Sequence, residues 1–361
     1  LRRHARGGQF HHRREWCVTS ATGVGSLPGT DSHEWSRTIA GELPDLPHVP
    51  ELPARGPGAD MIGRTASLLA QVAPDLAVDT TPSGWRFADA PGRVMARAAS
   101  WLSEDLDGVE EALAGTRGLV KGELVGPWTL AASIEMRNGE RAIRDAGACR
   151  DLAEALAEAA DRHVREIQRR LPGASVVLQF DEPALPTALA GGVSTASGIA
   201  TYRAVDVQRA ESHLRIAMDG ARAAGASPGI HCCESRAPVE LLRRAGADFV
   251  SVDLSVLDGS QEEALGRIID QGGQAYLGVV PALAPSPVPP VRSVAERAAQ
   301  RVLDQCSRWG FAPESVHDRL VLTPRCGLAG ADPVWARAAY SSLREAVRLV
   351  REDAEVPEES S

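Results

Sequence analysis

The chain has 361 residues, of which 43% are hydrophobic, and its formal net charge at pH 7 is −9. A chain of this length buries a large core and fits a single α/β barrel. The acidic balance and the lack of a basic stripe in the body of the chain argue against a nucleic-acid partner. No apolar run approaches the roughly 20 residues that a membrane-spanning helix needs, so we expect no membrane partner either.

The two ends of the chain differ in composition from the body. The first residues are rich in arginine and lack the apolar stretch of a signal peptide, so we expect residues 1–18 to form a disordered basic tail. We expect the acidic residues 353–361 to fray and residues 19–352 to form one domain. In a chain of this kind the six cysteines are interpreted as reduced thiols or metal ligands, which predicts a cytoplasmic protein.

Short apolar runs alternate with longer segments of helical spacing along the body of the chain. Strands are predicted at residues 21–25, 119–124, 175–180, 229–233, 249–253, 275–280 and 320–323. An eighth strand is predicted near residues 76–81, leading into a hairpin around residues 83–87. Helices are predicted at residues 63–72, 92–113, 150–170, 205–224, 238–245, 260–271, 291–309 and 332–352. Eight strands with interleaved helices predict a (β/α)8 TIM barrel, and no GxGxxG motif follows the first strand to indicate a Rossmann domain.

The sequence His231-Cys232-Cys233 ends one predicted strand. Because successive side chains of a strand point to opposite faces, His231 and Cys233 face the same way and are able to hold one metal ion. Cys232 faces the other way and is interpreted as a packing residue. Spacing alone leaves the alternative that all three residues serve packing.

Two further residues are candidate ligands because they follow other predicted strands. Cys326 comes just after the strand at residues 320–323, and Asp253 ends the strand that follows the one bearing His231. The carboxyl ends of all strands converge in a barrel, so these residues are expected to meet. A histidine, two thiolates and a carboxylate suit Zn²⁺ by their softness and charge.

Two other strand ends carry polar residues. Asp181 and Glu182 follow the apolar strand at residues 175–180, and either substrate binding or helix capping accounts for them. Gly25 and Ser26 end the first strand, where glycine lets the backbone approach a ligand and the serine hydroxyl is able to bind a carboxylate.

Taken together, these segments resemble the catalytic barrel of the cobalamin-independent methionine synthase family, within the uroporphyrinogen decarboxylase-like superfamily. The resemblance covers roughly residues 20–345. Its matching pieces, in chain order, are Gly25-Ser26-Leu27-Pro28, Lys121-Gly122, Gly126-Pro127, residues 179–185, residues 231–233, Asp253, residues 278–280 and Cys326-Gly327-Leu328.

The resemblance implies a zinc-dependent methyltransferase that activates homocysteine as a thiolate and methylates it to methionine. It implies zinc ligation by His231, Cys233, Cys326 and Asp253, the last being one methylene shorter than the glutamate of the family. Ser26, with Gly25, is implied to hold the homocysteine carboxylate. Asp181, the predicted catalytic residue, is implied to bind the amino group, with Glu182 beside it in the substrate site.

The chain departs from the family where methylfolate is bound. Thr187 stands where the family has a folate-contacting glutamate, Ser133 aligns with a tryptophan beneath the pterin, and residues 281–284 lack the family's proton-donating histidine. The methyl donor is therefore expected to be methyltetrahydrofolate or a methylated corrinoid protein. Two alternatives are a corrinoid-linked or decarboxylase-type enzyme of the same superfamily, and a zinc- or thiol-binding protein without catalysis.

Overall fold

The computed structural model describes residues 19–82, 84–195 and 197–355. The strands are β1 (Ser20–Ala21), β2 (Val78–Thr81), β3 (Gly84–Phe87), β4 (Leu119–Val125), β5 (Ile134–Glu135), β6 (Ser175–Asp181), β7 (Ser227–His231), β8 (Phe249–Asp253), β9 (Gln274–Val280) and β10 (Leu320–Pro324). The helices are α1 (Ser32–Glu42), α2 (Met61–Val72), α3 (Arg93–Ala112), α4 (Pro127–Ser133), α5 (Ala146–Arg170), α6 (Leu185–Leu189), α7 (Val207–Ala223), α8 (Val239–Arg244), α9 (Gly259–Asp270), α10 (Val291–Trp309), α11 (Pro313–Val316) and α12 (Pro333–Glu355).

Seven strands form a curled sheet in the order β1-β10-β9-β8-β7-β6-β4, and every pairing between neighbours is parallel. Helices connect successive strands and pack on the outside of the sheet. The predicted α/β barrel is confirmed. In such a barrel the carboxyl ends of the strands, where the candidate residues lie, converge at one mouth.

An irregular segment, residues 47–51, closes the wall between the two edge strands. His48 bridges Lys121 of β4, and Glu51 bridges Ser26, which follows β1. Val49 N–H donates to the carbonyl of Lys121 at 2.9 Å, and Glu51 N–H donates to that of Gly25 at 3.1 Å. Proline at positions 47 and 50 supplies no N–H to a ladder, so this segment does not form a regular strand and its sequence does not read as one.

The prediction of an eighth barrel strand near residues 76–81 is wrong. Those residues do form a hairpin, β2 with β3, but it pairs with β5 in a separate three-stranded sheet. Alternation along a short apolar run predicts that a strand exists, but it does not say which sheet the strand joins.

Apolar side chains fill the amino-terminal end of the barrel interior. They form a buried cluster separate from the main core, made of Leu46, Leu119, Val177, Phe249, Tyr276 and Val321. Phe249 and Tyr276 stack with ring centroids 4.1 Å apart. A Cβ at position 229 would lie 2.3 Å from the Phe249 ring, so glycine is required there. Residues two further along these strands share the inward face, and they are polar except for Gly278 on β9.

The carboxyl-terminal boundary differs from the prediction. Helix α12 runs to Glu355, so the first three residues of the predicted acidic tail are helical, and the rest of that tail lies outside the described residues. The predicted basic tail, residues 1–18, also lies outside them. Within residues 19–355, apart from positions 83 and 196, no helix has both the length and the apolar character needed to cross a membrane.

Candidate functional site

His231, Cys233 and Cys326 meet at the carboxyl ends of β7 and β10. One ligand atom from each residue lies within 4.8 Å of the others. Strand β7 ends at His231, two residues before Cys233, so the predicted strand end at residue 233 is two residues too long. The Cys233 thiol donates to the sulfur of Cys326 at 3.1 Å. The predicted meeting of these three residues is therefore seen in the fold.

A hydrogen bond fixes the imidazole of His231. Its Nδ1 lies 2.8 Å from the hydroxyl of Ser251, which pairs with His231 across β7 and β8 and is fully buried. Its Nε2 is buried and has no hydrogen-bond partner among the described residues. A metal-bound histidine typically uses its second nitrogen in this way, to fix the ring for coordination. Nothing in the sequence marked Ser251, although it lies two residues before Asp253 on the same face of β8.

The two thiols differ in acidity. The hydrogen bond from Cys233 and the nearby His231 imidazole lower the pKa of Cys326 to about 4. The same hydrogen bond, together with burial, raises the pKa of Cys233. One thiolate is thus favoured even without a cation, and a soft divalent cation would stabilise both. An orphaned imidazole nitrogen beside two sulfurs fits Zn²⁺.

Asp253, the predicted fourth ligand, lies outside this group of donors. Its Oδ1 accepts hydrogen bonds from the backbone N–H and the hydroxyl of Ser255, at 2.7 and 2.6 Å, and lies 3.9 Å from Nε of Arg325. The short carboxylate closes its own turn instead of reaching the sulfurs. The donors seen together are therefore one imidazole and two thiols.

Ser26 and Gly25 lie next to the donors. A Cβ at Gly327, the residue after Cys326, would lie 2.0 Å from the Ser26 hydroxyl, so this glycine lets the serine approach the Cys326 loop. Leu328 N–H donates to the Ser26 carbonyl at 2.7 Å. Gly25 has φ +152° and faces the side chains of Glu123 and Glu51. The structure thus brings the two predicted substrate-binding residues to the same mouth.

Asp181 ends β6 and pairs with His231 of β7. Its Oδ1 accepts a hydrogen bond from Nε2 of Gln179 at 2.7 Å. Burial, followed by the nearby carboxylate of Glu51, raises the pKa of Asp181 well above its usual value. A buried carboxyl of this kind is suited to an incoming cation, because a positive charge would restore its ionised form.

Glu182 makes its contacts with the first turn of α4, as in the capping interpretation, and its predicted place in the substrate site stays a prediction. Its side chain is buried, and its two oxygens accept from the backbone N–H groups of Trp128 and Thr129 at 2.8 and 2.9 Å. The Thr129 hydroxyl donates as well, at 2.7 Å. Glu182 thus caps the amino terminus of α4, a helix more than fifty residues earlier in the chain, and burial raises its pKa to about 7.

A buried ionic network lies below the mouth, and sequence reasoning missed most of it. Lys121 of β4 is fully buried, and its ammonium group donates to the side chains of Glu123 and Gln179 and to the carbonyl of Val24, at 2.6, 3.1 and 3.0 Å. These three acceptors use all the protons that a lysine can donate. The signal was available, since Lys121 and Glu123 alternate with apolar residues in an otherwise apolar strand.

Gln179 connects this network to Asp181. Because Lys121 only donates, the amide oxygen of Gln179 must face it and the amide nitrogen must face Val24 and Asp181. The nitrogen lies 2.8 Å from the Val24 carbonyl and 2.7 Å from Asp181 Oδ1. The orientation of the Asp181 carboxyl is therefore set from below by a residue that cannot flip without losing its bonds.

The irregular segment at residues 47–51 contributes two more groups to the network. Glu51 lies 3.5 Å from Nε of Arg64, and burial raises its pKa. Nε2 of His48 shares a hydrogen bond with the Tyr340 hydroxyl at 2.8 Å, and Nδ1 of His48 lies 3.5 Å from Oε1 of Glu123. Burial, followed by the charge of Lys121, lowers the pKa of His48 to about 3, so its ring is neutral. The segment that closes the barrel thus also supplies part of its polar interior.

A parallel barrel with an imidazole and two thiols at its mouth defines an α/β barrel domain with a candidate metal site. The model of one family, described as the catalytic domain of the cobalamin-independent synthase, matches residues 18–349. The chain belongs to this family, which makes it a domain of the methionine synthase type and confirms the resemblance seen in the sequence. No curated protein sequence matches it significantly.

One solved structure supports the fold. A B12-independent methionine synthase from Shewanella sp. W3-18-1, in complex with selenomethionine, superposes with a TM-score of 0.54 at 13% identity, covering 93% of this chain and 99% of that chain. A morphinone reductase gives a TM-score of 0.41 at 12% identity, covering 85% of this chain and 81% of that chain. At 13% identity, the methionine synthase structure supports the barrel architecture and nothing more specific.

Proposed function

We propose that the chain is a zinc-dependent methyltransferase that binds homocysteine as a thiolate and methylates it to methionine. The family assignment supports methyl transfer of this type. The observation that carries the zinc proposal is the buried, unpartnered Nε2 of His231 beside the sulfurs of Cys233 and Cys326. The corrinoid-linked and decarboxylase-type alternatives have no comparable observation in their favour.

The proposed ligands are His231, Cys233 and Cys326. A zinc ion held by three protein ligands keeps a coordination position for a substrate thiol and would favour its thiolate at neutral pH. Asp253 is not needed as a fourth ligand in this proposal, because its carboxylate is used by Ser255. Two thiolates and an imidazole balance the charge of Zn²⁺, which would leave a bound thiolate nucleophilic.

The remaining site residues would orient the amino acid. We propose that the Ser26 hydroxyl donates to the homocysteine carboxylate, because it lies beside the Cys326 loop. Asp181, which pairs with His231, would accept hydrogen bonds from the substrate ammonium group. Gln179 would hold the Asp181 carboxyl in place for this contact, as it does in the structure. This arrangement would fix both ends of the substrate backbone and leave its thiol free to reach the sulfurs.

The proposed methyl donor is methyltetrahydrofolate or a methylated corrinoid protein. Thr187 is exposed on α6 and Ser133 ends α4, and neither offers the acidic or aromatic group expected of a folate site. This favours testing the corrinoid donor alongside the folate. The predicted cytoplasmic location also stays a prediction.

The experiment that tests the proposal is methionine formation from homocysteine by the zinc-loaded protein, with methylcobalamin and methyltetrahydrofolate offered in parallel. Turnover with either donor supports the methyltransferase, and the donor that works identifies the second substrate. No turnover with both, despite stoichiometric zinc, would favour the zinc- or thiol-binding alternative. Turnover that persists after complete zinc removal would overturn the role of the metal.

A further inference from the structure

A cavity of about 550 Å³ lies on the outer side of the barrel mouth, against helix α10. We propose that it binds a small molecule through a phosphate or carboxylate group. Four arginines line it: Arg297, Arg301, Arg308 and Arg325. This proposal concerns a separate site and does not depend on zinc or on methyl transfer.

The charges around the cavity favour an anion. The only carboxylate among its described lining residues is Asp304, which already accepts from Gln300 at 2.8 Å. Two carboxylates lie just outside the lining, Glu262 at 3.5 Å from Arg308 and Asp253 at 3.9 Å from Arg325. Four guanidinium groups thus face three carboxylates, one of which is engaged in its own turn. A residual positive charge is left inside a concave, partly enclosed space, where its effect on an anion is stronger than on an open surface.

Three of the arginines have unused hydrogen-bond donors. The guanidinium groups of Arg297 and Arg325 make no hydrogen bond with any residue in the described ranges. Arg301 gives one bond, from its Nη2 to the carbonyl of Leu254 at 2.8 Å, and its Nε is left without a partner. Guanidinium groups with free donors bind phosphate and carboxylate in a bidentate manner. The cavity therefore has both the charge and the donor geometry for such a group.

The size of the cavity points to a molecule larger than a single ion. Cavities that hold small molecules have volumes of roughly 300 to 1,000 Å³, and this one falls within that range. Val279, Pro281, Pro285 and Val294 provide an apolar part of the lining. A ligand with an anionic group and an apolar body fits this division better than free phosphate does.

The cavity also touches the loop that carries Cys326. Arg325 directly precedes that cysteine, and its backbone N–H donates to the carbonyl of Val280 at 2.8 Å. A ligand held by Arg325 would therefore contact the segment next to the candidate metal donors. This position allows a molecule in the cavity to lie beside the barrel mouth without entering it.

Calorimetric titration of the full chain with phenyl phosphate, and separately with phenylacetate, each an anionic group on an apolar body, tests the proposal and distinguishes phosphate from carboxylate. We expect saturable binding of at least one of them, weakened at least tenfold by Arg297→Ala. Arg297 is exposed and unpaired, so this change leaves the fold intact. The matched control is Arg292→Ala, an exposed arginine of the same helix that is paired with Glu296 outside the cavity.

Each outcome decides the question. Weaker binding in Arg297→Ala with unchanged binding in Arg292→Ala supports the site, and it does so whether or not the protein transfers methyl groups. Equal behaviour of both variants and the unchanged protein would place the anion elsewhere and overturn the proposal. The absence of saturable binding by either anion would overturn it as well. Failure of methyl transfer with normal anion binding would count against the proposed function alone.

Discussion

The two polar regions of the barrel differ in how completely their hydrogen bonds are satisfied. At the mouth, His231 keeps a buried nitrogen that no described residue bonds, and two sulfurs share one hydrogen bond. Below it, Lys121 places all its protons on acceptors and Gln179 has bonds on both sides of its amide, although Oε2 of Glu123 has no hydrogen-bond partner among the described residues. Buried polar groups are normally paired, so the imidazole nitrogen beside two sulfurs is the arrangement that a bound metal ion would complete. The buried ionic network around Lys121 and Gln179 holds the neighbouring Asp181 carboxyl in place.

The largest expected effect comes from removing one of the sulfurs at the mouth. Cys326→Ser should lower zinc affinity by at least a hundredfold and abolish methyl transfer, because an alcohol is a poor zinc ligand at neutral pH. Zinc content after dialysis and circular dichroism would be measured together, and the helical signal should be unchanged. The paired variant is Asp253→Asn, which should keep its zinc. Loss of zinc from that variant would restore Asp253 as the fourth ligand.

A second prediction concerns the buried ionic network around Lys121. Lys121→Met removes a buried ammonium group and leaves Glu123 and Gln179 without a donor, so we expect a loss of about 3–5 kcal/mol in the free energy of unfolding. Urea denaturation measures it. Arg292→Met, which removes an exposed ion pair, should cost less than about 1 kcal/mol. A similar loss of unfolding free energy in the two variants would mean that the buried network stabilises the fold no more than an exposed ion pair does.

The third prediction concerns the pH dependence of stability at Glu182. Its pKa is about 7 in the folded protein against an ordinary value of 4.5, so folding favours the protonated form. Protonated Glu182 therefore stabilises the folded state fully below pH 4.5. This contribution to the free energy of unfolding, up to about 3 kcal/mol, is lost as the pH rises through 7. Comparing the unfolding free energies of the unchanged protein and Glu182→Gln from pH 5 to 8 measures it. A pH-independent difference between them would contradict the raised pKa.

The smallest expected effect is at the substrate carboxylate. Ser26→Ala removes one hydroxyl donor beside the Cys326 loop, and we expect KM for homocysteine to rise about tenfold with little change in kcat. Steady-state kinetics with the working donor measures both constants. Ser315→Ala, an exposed serine on α11, is the control and should leave KM unchanged. An unchanged KM in Ser26→Ala would show that the carboxylate is bound elsewhere.

The parts of the fold that follow periodic patterns were predictable from the sequence. Seven barrel strands were found because apolar runs of strand length alternate with helices, and His231, Cys233 and Cys326 were found because they stand at strand ends. The barrel closure at residues 47–51 was missed because its prolines remove the strand pattern. Its two inward groups, His48 and Glu51, were missed with it.

The hydrogen-bond partners of two other candidate residues do not follow from the sequence pattern. Glu182 caps a helix whose first turn lies at Trp128 and Thr129, and no local pattern announces a cap supplied from that distance. Asp253 stands at the right strand end, but whether an aspartate reaches a metal or its own turn depends on one methylene and on backbone direction. The sequence locates side chains along strands, and it does not say which of two nearby partners each one takes.

The irregular closure has a consequence for motion. The wall at residues 47–51 is held by two isolated bridges and four backbone hydrogen bonds, divided between β4 and the residues after β1, whereas β4 and β6 pair continuously over seven residues. Segments with few backbone hydrogen bonds open at lower free energy than the core, and amide hydrogen exchange detects such openings. The amides of Val49 and Glu51 should therefore exchange faster than those of β6 or β9. Local opening at this seam would briefly expose the carboxylate of Glu51 to water while the rest of the barrel stays closed.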